Sequence, residues 1–488
     1  MQINNIMENV NMNNNYKIDE VMKFFYEISN IPRKSGNEEK ISAYIQKFAL
    51  ERELKYVKDD YNNVIIFKGA QNSNCKENII LQSHLDMVCE KEINSTHNFE
   101  KDGLNVYIDG DYLKAKGTTL GADNGIGVAI MLAILDSKEI SHPPIEAVFT
   151  VEEETTMLGA QKIDTSVLKG NKMICLDNMN EKELWTGCAS AKIIEYETNS
   201  QTIFLNENFK LITIGLDGFK GGHSGKDINK PRGNPIVEMG CLLNKIMENN
   251  DIYIKNLYSK GKVNVIPREC YCDLYIKKNE LNNIKELISK YEKELIYRIK
   301  DTENLRMFVK EIEDKEKVCI NSTNTNNVIN ILNTFPNGVY CTDQYGNPLV
   351  SLNVGVIEIN TEKIYIGFSI RSNRKEMENN LLHELKTNIE DKFEVNRSEK
   401  ELSGYEHIKP STFVDKCIDI YKEQFNREPR VIDMHICLEA GFFAQKIPKL
   451  DFIAIAPDIL DAHSPNERCS VSSLSRVYNY IISILNKL

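Results

Sequence analysis

An α/β fold, with a mixed and largely parallel sheet and an inserted α+β domain, is predicted for this chain by three observations. Short apolar runs alternate with helical periodicity up to about residue 190, as in a sheet with crossover helices. Between about residues 191 and 400 the texture changes to amphipathic strands and longer charged helices. From about residue 401 the first style returns, so the economical division is a discontinuous domain of residues 1–190 and 401–488 carrying an insertion of residues 191–400. A length of 488 residues allows each part its own core, and no repeat of 20 to 50 residues suggests a solenoid.

The elements follow in order. After an Asn-rich leader, read as a frayed tail, residues 18–31 carry apolar side chains at helical spacing and stop at Pro32, and a second helix follows over about 38–54. Residues 64–67, 79–81, 145–151 and 173–176 are strand-like apolar runs, and 126–135 is an apolar run entered from a glycine-rich turn. In the insertion, 209–215, 262–266 and 270–276 read as strands and 280–300 as a charged helix. Near the end, 452–455 reads as a strand and 472–488 as an amphipathic closing helix.

Composition excludes several classes. The 41% hydrophobic and 27% charged fractions are those of a globular protein, and no run approaches the roughly 18 apolar residues that a membrane span needs. A net charge of -11 argues against nucleic-acid binding, which wants clustered Lys and Arg. The opening residues lack the pattern of a signal peptide, so the expected location is cytoplasmic. The 12 cysteines include no C-x-x-C pair and read as reduced thiols, which leaves metal binding, if any, to His and carboxylates.

Several apolar runs end in residues able to bind a metal, and ligand crevices in open α/β sheets lie beyond the carboxyl ends of the strands. ENIILQSHLD delivers His84 and Asp86 to one face of an extended segment, where one can bind while the other steadies it. A surface strand end would read the same way. Asp123 stands where the glycine-rich turn GTTLGADNG becomes helix; taken alone, the position reads more readily as a helix N-cap than as a metal ligand. IEAVFTVEEETT places Glu152, Glu153 and Glu154 in succession, either a solvated acidic loop or a group awaiting cations. KMICLD ends at Asp177, and LDFIAIAPDILDAHSP reaches His463 in a loop. His223 lies in GFKGGHSGK, which is not a P-loop because Lys220 and Asp227 stand where Gly and Ser or Thr are required. His97, His142, His383 and His407 read as structural.

The segments SHLDMV, GTTLGADNGIGVA, TVEEETTMLGA, CLDNMNEKELWTGCA, GFKGGHSG, NVIPRE and DAHSPNERCSVSS resemble, in order and spacing, the aminoacyl-histidine (Xaa-His) dipeptidases of the aminoacylase and glutamate-carboxypeptidase superfamily. The resemblance runs from about residue 28 to the C-terminus. It implies a cytoplasmic di-zinc metallopeptidase: a zinc-peptidase catalytic domain with an inserted lid that also serves as dimerisation domain in a homodimer. Small peptides would be the substrates, Xaa-His dipeptides of the carnosine kind among them. Two Zn²⁺ per subunit are implied, replaceable by Co²⁺ or Mn²⁺. His84 and Asp177 fall on one ion, Glu154 and His463 on the other, and Asp123 between them. Each ion then has three protein ligands, and a shared water completes a tetrahedron. Glu153 falls on the general base for that water, Asp86 on the residue that holds His84, and His223, Asn264 and Arg371 on substrate-binding positions.

Departures from the family pattern are Thr156 for a Gly, Asn178 to Asn180 for an acidic stretch, and Ile436 and Cys437 for smaller residues beside the substrate pocket. The last pair bears on side-chain preference. Alternatives with the same chemistry are a tripeptidase or an N-acyl amino acid deacylase. A zinc-binding scaffold without catalysis is the non-enzyme alternative, and retention of Glu153 argues against it.

Overall fold

Phe24, Phe25 and Ile28 face inward from the helix Asp19–Ser29, which packs against the helix Ala122–Asp136. The latter is apolar on every side, as a fully enclosed helix must be, and is buried from Ala122 to Leu135. The structure, a computed structural model, describes residues 18–300, 302–407 and 410–488; the Asn-rich leader lies outside the described residues.

The chain divides into two units, and the second interrupts the first: unit one runs to Gly187 and resumes over His407–Met434 and Leu438–Leu488, and unit two comprises Cys188–Glu406 and His435–Cys437. Unit one is built on an eight-stranded sheet in the order Lys55–Lys58, Val64–Lys68, Ile145–Thr150, Ile79–His84, Lys172–Cys175, Asp451–Ala454, Glu183–Cys188, Arg430–Met434. Its four central strands, from Ile145–Thr150 to Asp451–Ala454, run parallel, and antiparallel pairs flank them. Strands buried on both faces read as continuous apolar runs, and Ile145–Thr150 and Ile79–His84 are buried at every position.

Unit two is built on a nine-stranded sheet whose paired strands are antiparallel, including Phe209–Phe219, Cys270–Lys277, Pro348–Ile359 and Lys363–Ser372. The helices Pro235–Met247, Leu281–Arg298, Ser322–Thr334 and Lys375–Glu390 contribute to its separate core. The strand predicted over 262–266 shrinks to Val265–Ile266. Val265 N–H turns back to the Lys262 carbonyl, and the Asn353 amide bonds the Val263 and Val265 carbonyls, so side-chain bonds replace the ladder. No helix among the described residues is long and apolar enough to cross a membrane. No disulfide joins any of the cysteines among the described residues.

Candidate active site

Because the four central strands of unit one are parallel, their carboxyl ends gather at one edge. His84 is the last residue of its strand, Glu153 and Glu154 follow Ile145–Thr150, and Asp177 follows Lys172–Cys175. Asp123 sits in a non-helical step at the mouth of Ala122–Asp136. His463 lies between the short strands Ile459–Leu460 and Arg468–Ser470, which pair with each other. Its φ of 63° and that of 55° at Glu152 are left-handed, a conformation that surrounding structure must hold.

These side chains converge. His84 Nε2 is 3.2 Å from Asp123 Oδ1, 3.9 Å from Asp177 Oδ1 and 4.0 Å from Glu153 Oε2. His463 Nε2 is 3.1 Å from both Asp123 Oδ2 and Glu154 Oε1. Asp123 therefore turns one oxygen to each imidazole, and each imidazole has a further carboxylate beside it. Asp86 lies behind His84: its Oδ1 is 3.3 Å from His84 Nδ1, and its carboxylate accepts from Ser35 Oγ and from the backbone N–H groups of Glu153 and Glu154. One buried carboxylate thus steadies both the imidazole and the acidic loop.

The electrostatics describe a site short of positive charge. Burial pushes the Glu153 carboxyl well above its ordinary range, helped by the neighbouring Asp177 charge. Burial and the Asp123 charge push Glu154 up and Asp177 to about 7. Burial opposes ionisation of Asp123, but hydrogen bonds from His463 and His84 more than offset it and hold that carboxyl well down. Hydrogen bonds to Asp123 and Glu154 push His463 up to about 10. The one proton on His463 Nε2 is shared between Asp123 Oδ2 and the buried Glu154 Oε1. Divalent cations fit this donor set: they would supply the missing charge, displace the protons and bind the carboxylate oxygens crowded round the two imidazoles. Among the described residues three clusters are of suitable size to hold an ion: His84, Asp123 and Asp177; Asp123, Glu154 and His463; and His84, Glu153 and Glu154.

In unit two, the Arg371 guanidinium is buried; its Nη2 is 3.2 Å from His223 Nε2, and it donates to Ser224 Oγ and Cys437 Sγ. No carboxylate pairs with it among the described residues. Burial and the Arg371 charge hold His223 down at about 4. Asn264 is exposed and joins this group through its backbone, whose carbonyl accepts from Ser224 N–H.

Sequence reasoning assigned no role to Glu439, Arg33 or Glu467, three buried charged residues of unit one. Glu439 accepts from Gln82 Nε2 and Thr150 Oγ1 behind the His84 strand, and burial pushes its carboxyl to about 8. In sequence these residues lie in the polar stretches PRKSGNEEK and PNER and in HICLEAG, where nothing separates a buried charge from a solvated one.

Residues 80–487 match the Peptidase family M20/M25/M40. The chain belongs to this family, and it is a metallopeptidase. It is 30% identical over 474 residues to the cytosol non-specific dipeptidase of Escherichia coli (strain K12), covering 95% of this chain and 96% of that protein. The structure is similar to the aminoacylhistidine dipeptidase from Vibrio alginolyticus, with a TM-score of 0.87, 30% identity and 96% of each chain covered. Similarity to the aminopeptidase PepT from Bacillus cereus, with a TM-score of 0.56 and 15% identity over 96% of this chain and 98% of that one, extends the likeness in fold.

Proposed function

We propose that this metallopeptidase hydrolyses dipeptides, Xaa-His dipeptides among them, at a two-metal centre. The observation that carries the reading is the divided carboxylate of Asp123, one oxygen toward His84 and the other toward His463. His84 and Asp177 would hold one ion, Glu154 and His463 the other, and Asp123 both; Zn²⁺ suits these ligands, as do Co²⁺ and Mn²⁺. Bound there, such ions supply Lewis acidity and a water whose pKa falls from about 16 to about 7.

The chain's own residues do the rest. Glu153 takes a proton from the attacking water on a carboxylate oxygen as the carbon–oxygen bond forms, and delivers it to the amine nitrogen as the carbon–nitrogen bond breaks. Asp86 holds His84 by its Nδ1 edge, so that Nε2 faces Asp123. Residues 191–400 serve as an inserted lid and dimerisation domain of a homodimer, against a catalytic domain of residues 1–190 and 401–488. Within the insertion Arg371, with no carboxylate partner among the described residues, grips the substrate carboxylate, and His223 and Asn264 contact the substrate. The likeness to a cytosolic dipeptidase supports a cytoplasmic location and short-peptide substrates. Ile436 and Cys437 are where the side-chain preference is set.

The test is Glu153→Gln assayed on carnosine, other Xaa-His dipeptides, unrelated dipeptides, tripeptides and acetyl amino acids. Turnover of dipeptides should fall by about 10²- to 10⁴-fold while metal stays bound. Near-normal kcat would remove Glu153 from the reaction, and wild-type protein active only on tripeptides or acetyl amino acids would replace the dipeptidase reading.

A further inference from the structure

Glu467 lies four residues after His463, yet its carboxylate is spent on another segment. Oε2 accepts from the backbone N–H groups of Leu120 and Gly121 at 2.8 and 2.9 Å, and Oε1 from those of Ala122 and Asp123 at 2.9 and 3.2 Å. One buried side chain thus closes the amides of the turn that presents Asp123 and anchors them to the loop that presents His463. Arg33 ties in a third segment: Nη1 donates to the Leu85 and Asp86 carbonyls at 3.2 and 3.1 Å, and Nη2 to the Gly121 carbonyl at 2.5 Å. The approach needs glycine at 121, where φ is +63° and a Cβ would lie 2.5 Å from Arg33 Nη2. Burial works against the Arg33 charge, and the negative charge of Glu467 favours it.

We infer that Glu467, backed by Arg33, is a positioning residue for the metal pair: it fixes the Asp123 turn against the His463 loop and the His84 strand end. The inference rests on the reading of Asp123, His84 and His463 as ligands. Its physical basis is tolerance. Metal–ligand distances must be met within about 0.2 Å, and the ladder that joins Arg468–Ser470 to Tyr112–Ala115 ends short of both the turn and His463. The clasp sets their spacing before an ion arrives, and Asp123 Oδ2 stands 3.1 Å from His463 Nε2 as a result. An ordinary helix cap would satisfy one or two of these amides from a neighbouring residue; here all four are met by a residue 344 to 347 positions away.

The test uses the full-length chain as wild type, Glu467→Gln, Glu467→Asp and Asp123→Asn. Gln turns an amino group toward two amides; Asp keeps the charge but falls one methylene short. Each is examined by circular dichroism and thermal unfolding without metal, by chelator competition for Zn²⁺, by the visible spectrum of the Co²⁺ form and by kcat and KM on a dipeptide. The expected result for Glu467→Gln is about 10- to 100-fold weaker metal binding, an altered Co²⁺ spectrum, kcat lowered more than KM is raised, and partial recovery in excess metal, with Glu467→Asp intermediate. A folded Glu467→Gln with wild-type affinity and spectrum overturns the inference. Failure of both Glu467 variants to fold also overturns it, since the clasp would then serve the fold and not the metals. If wild type binds fewer than two ions, or Asp123→Asn keeps both, the ligand reading itself fails and takes the inference with it.

Discussion

At the scale of single residues, what separates the two functional groupings is the sign of their unmet charge. In unit one the carboxyls of Glu153, Glu154 and Asp177 are pushed up by burial and by neighbouring carboxylates, while Arg371 in unit two is a buried guanidinium with no carboxylate beside it among the described residues. Hydrogen bonds to a charged group contribute about 1.5–3 kcal/mol. Arg371→Ala should accordingly raise KM by about 10- to 100-fold for dipeptides with a free carboxylate and far less for their amides. Steady-state kinetics on matched pairs checks this, and equal effects on both would exclude the role. His435, also in unit two, offers a test by pH. It is buried between Ser351 Oγ and Asn373 Oδ1 at 2.7 and 3.0 Å, and burial, together with the Arg371 charge, holds it down at about 3. Between about pH 6.5 and 3 the unfolded chain binds a proton that the folded chain refuses, so stability present above 6.5 is lost as pH falls through that window. Denaturant unfolding at a series of pH values should show a flatter acid decline in His435→Asn than in wild type; parallel declines would contradict the assignment.

At the scale of elements, the helix Ala122–Asp136 couples the core to the site. Gly127 lies on it where a Cβ would meet Asn124 Oδ1 at 2.1 Å, Ser83 Oγ at 2.6 Å and Leu176 Cβ at 2.9 Å. Gly127→Ala must push Asn124, next to Asp123, or move the helix off the strand that ends in His84. Denaturant titration should register about 1–3 kcal/mol of lost stability, and metal affinity should weaken with it; an unchanged midpoint would mean the contact relaxes freely. Much of this architecture was legible because parallel strands buried on both faces leave unbroken apolar runs, and the chemistry stands at their ends: SHLD, FTVEEE and CLD each stop in a residue that the structure brings to one edge. Residues 262–266 misled because alternating Val and Ile mimic a strand, while the bonds from Asn353 that bend the segment come from 90 positions away at Val263. Glu467 and Arg33 were illegible for the same reason: their partners are backbone groups of distant segments, and no local pattern marks a carboxylate that will meet four amides.

At the scale of the whole molecule, each unit closes its own hydrophobic core, one including Phe25, Ile130 and Tyr480 and the other Leu242, Ile288 and Phe368. The proposed ions bind only in the first. Calorimetry should therefore resolve more than one transition, and added Zn²⁺ should raise only one of them, by the equivalent of about 2.7 kcal/mol when free metal is about 100 times Kd. A single transition that moves as one would show that the cores melt together. The claim on which the rest depends is that five side chains, from His84 to His463, surround a pair of ions sharing Asp123. A crystal of the full-length protein grown with excess zinc, with anomalous diffraction measured at the zinc edge, tests it most directly. Two anomalous peaks are expected astride Asp123, one beside His84 and Asp177 and the other beside Glu154 and His463; a lone peak elsewhere, or these side chains drawn apart, would contradict a shared two-ion centre.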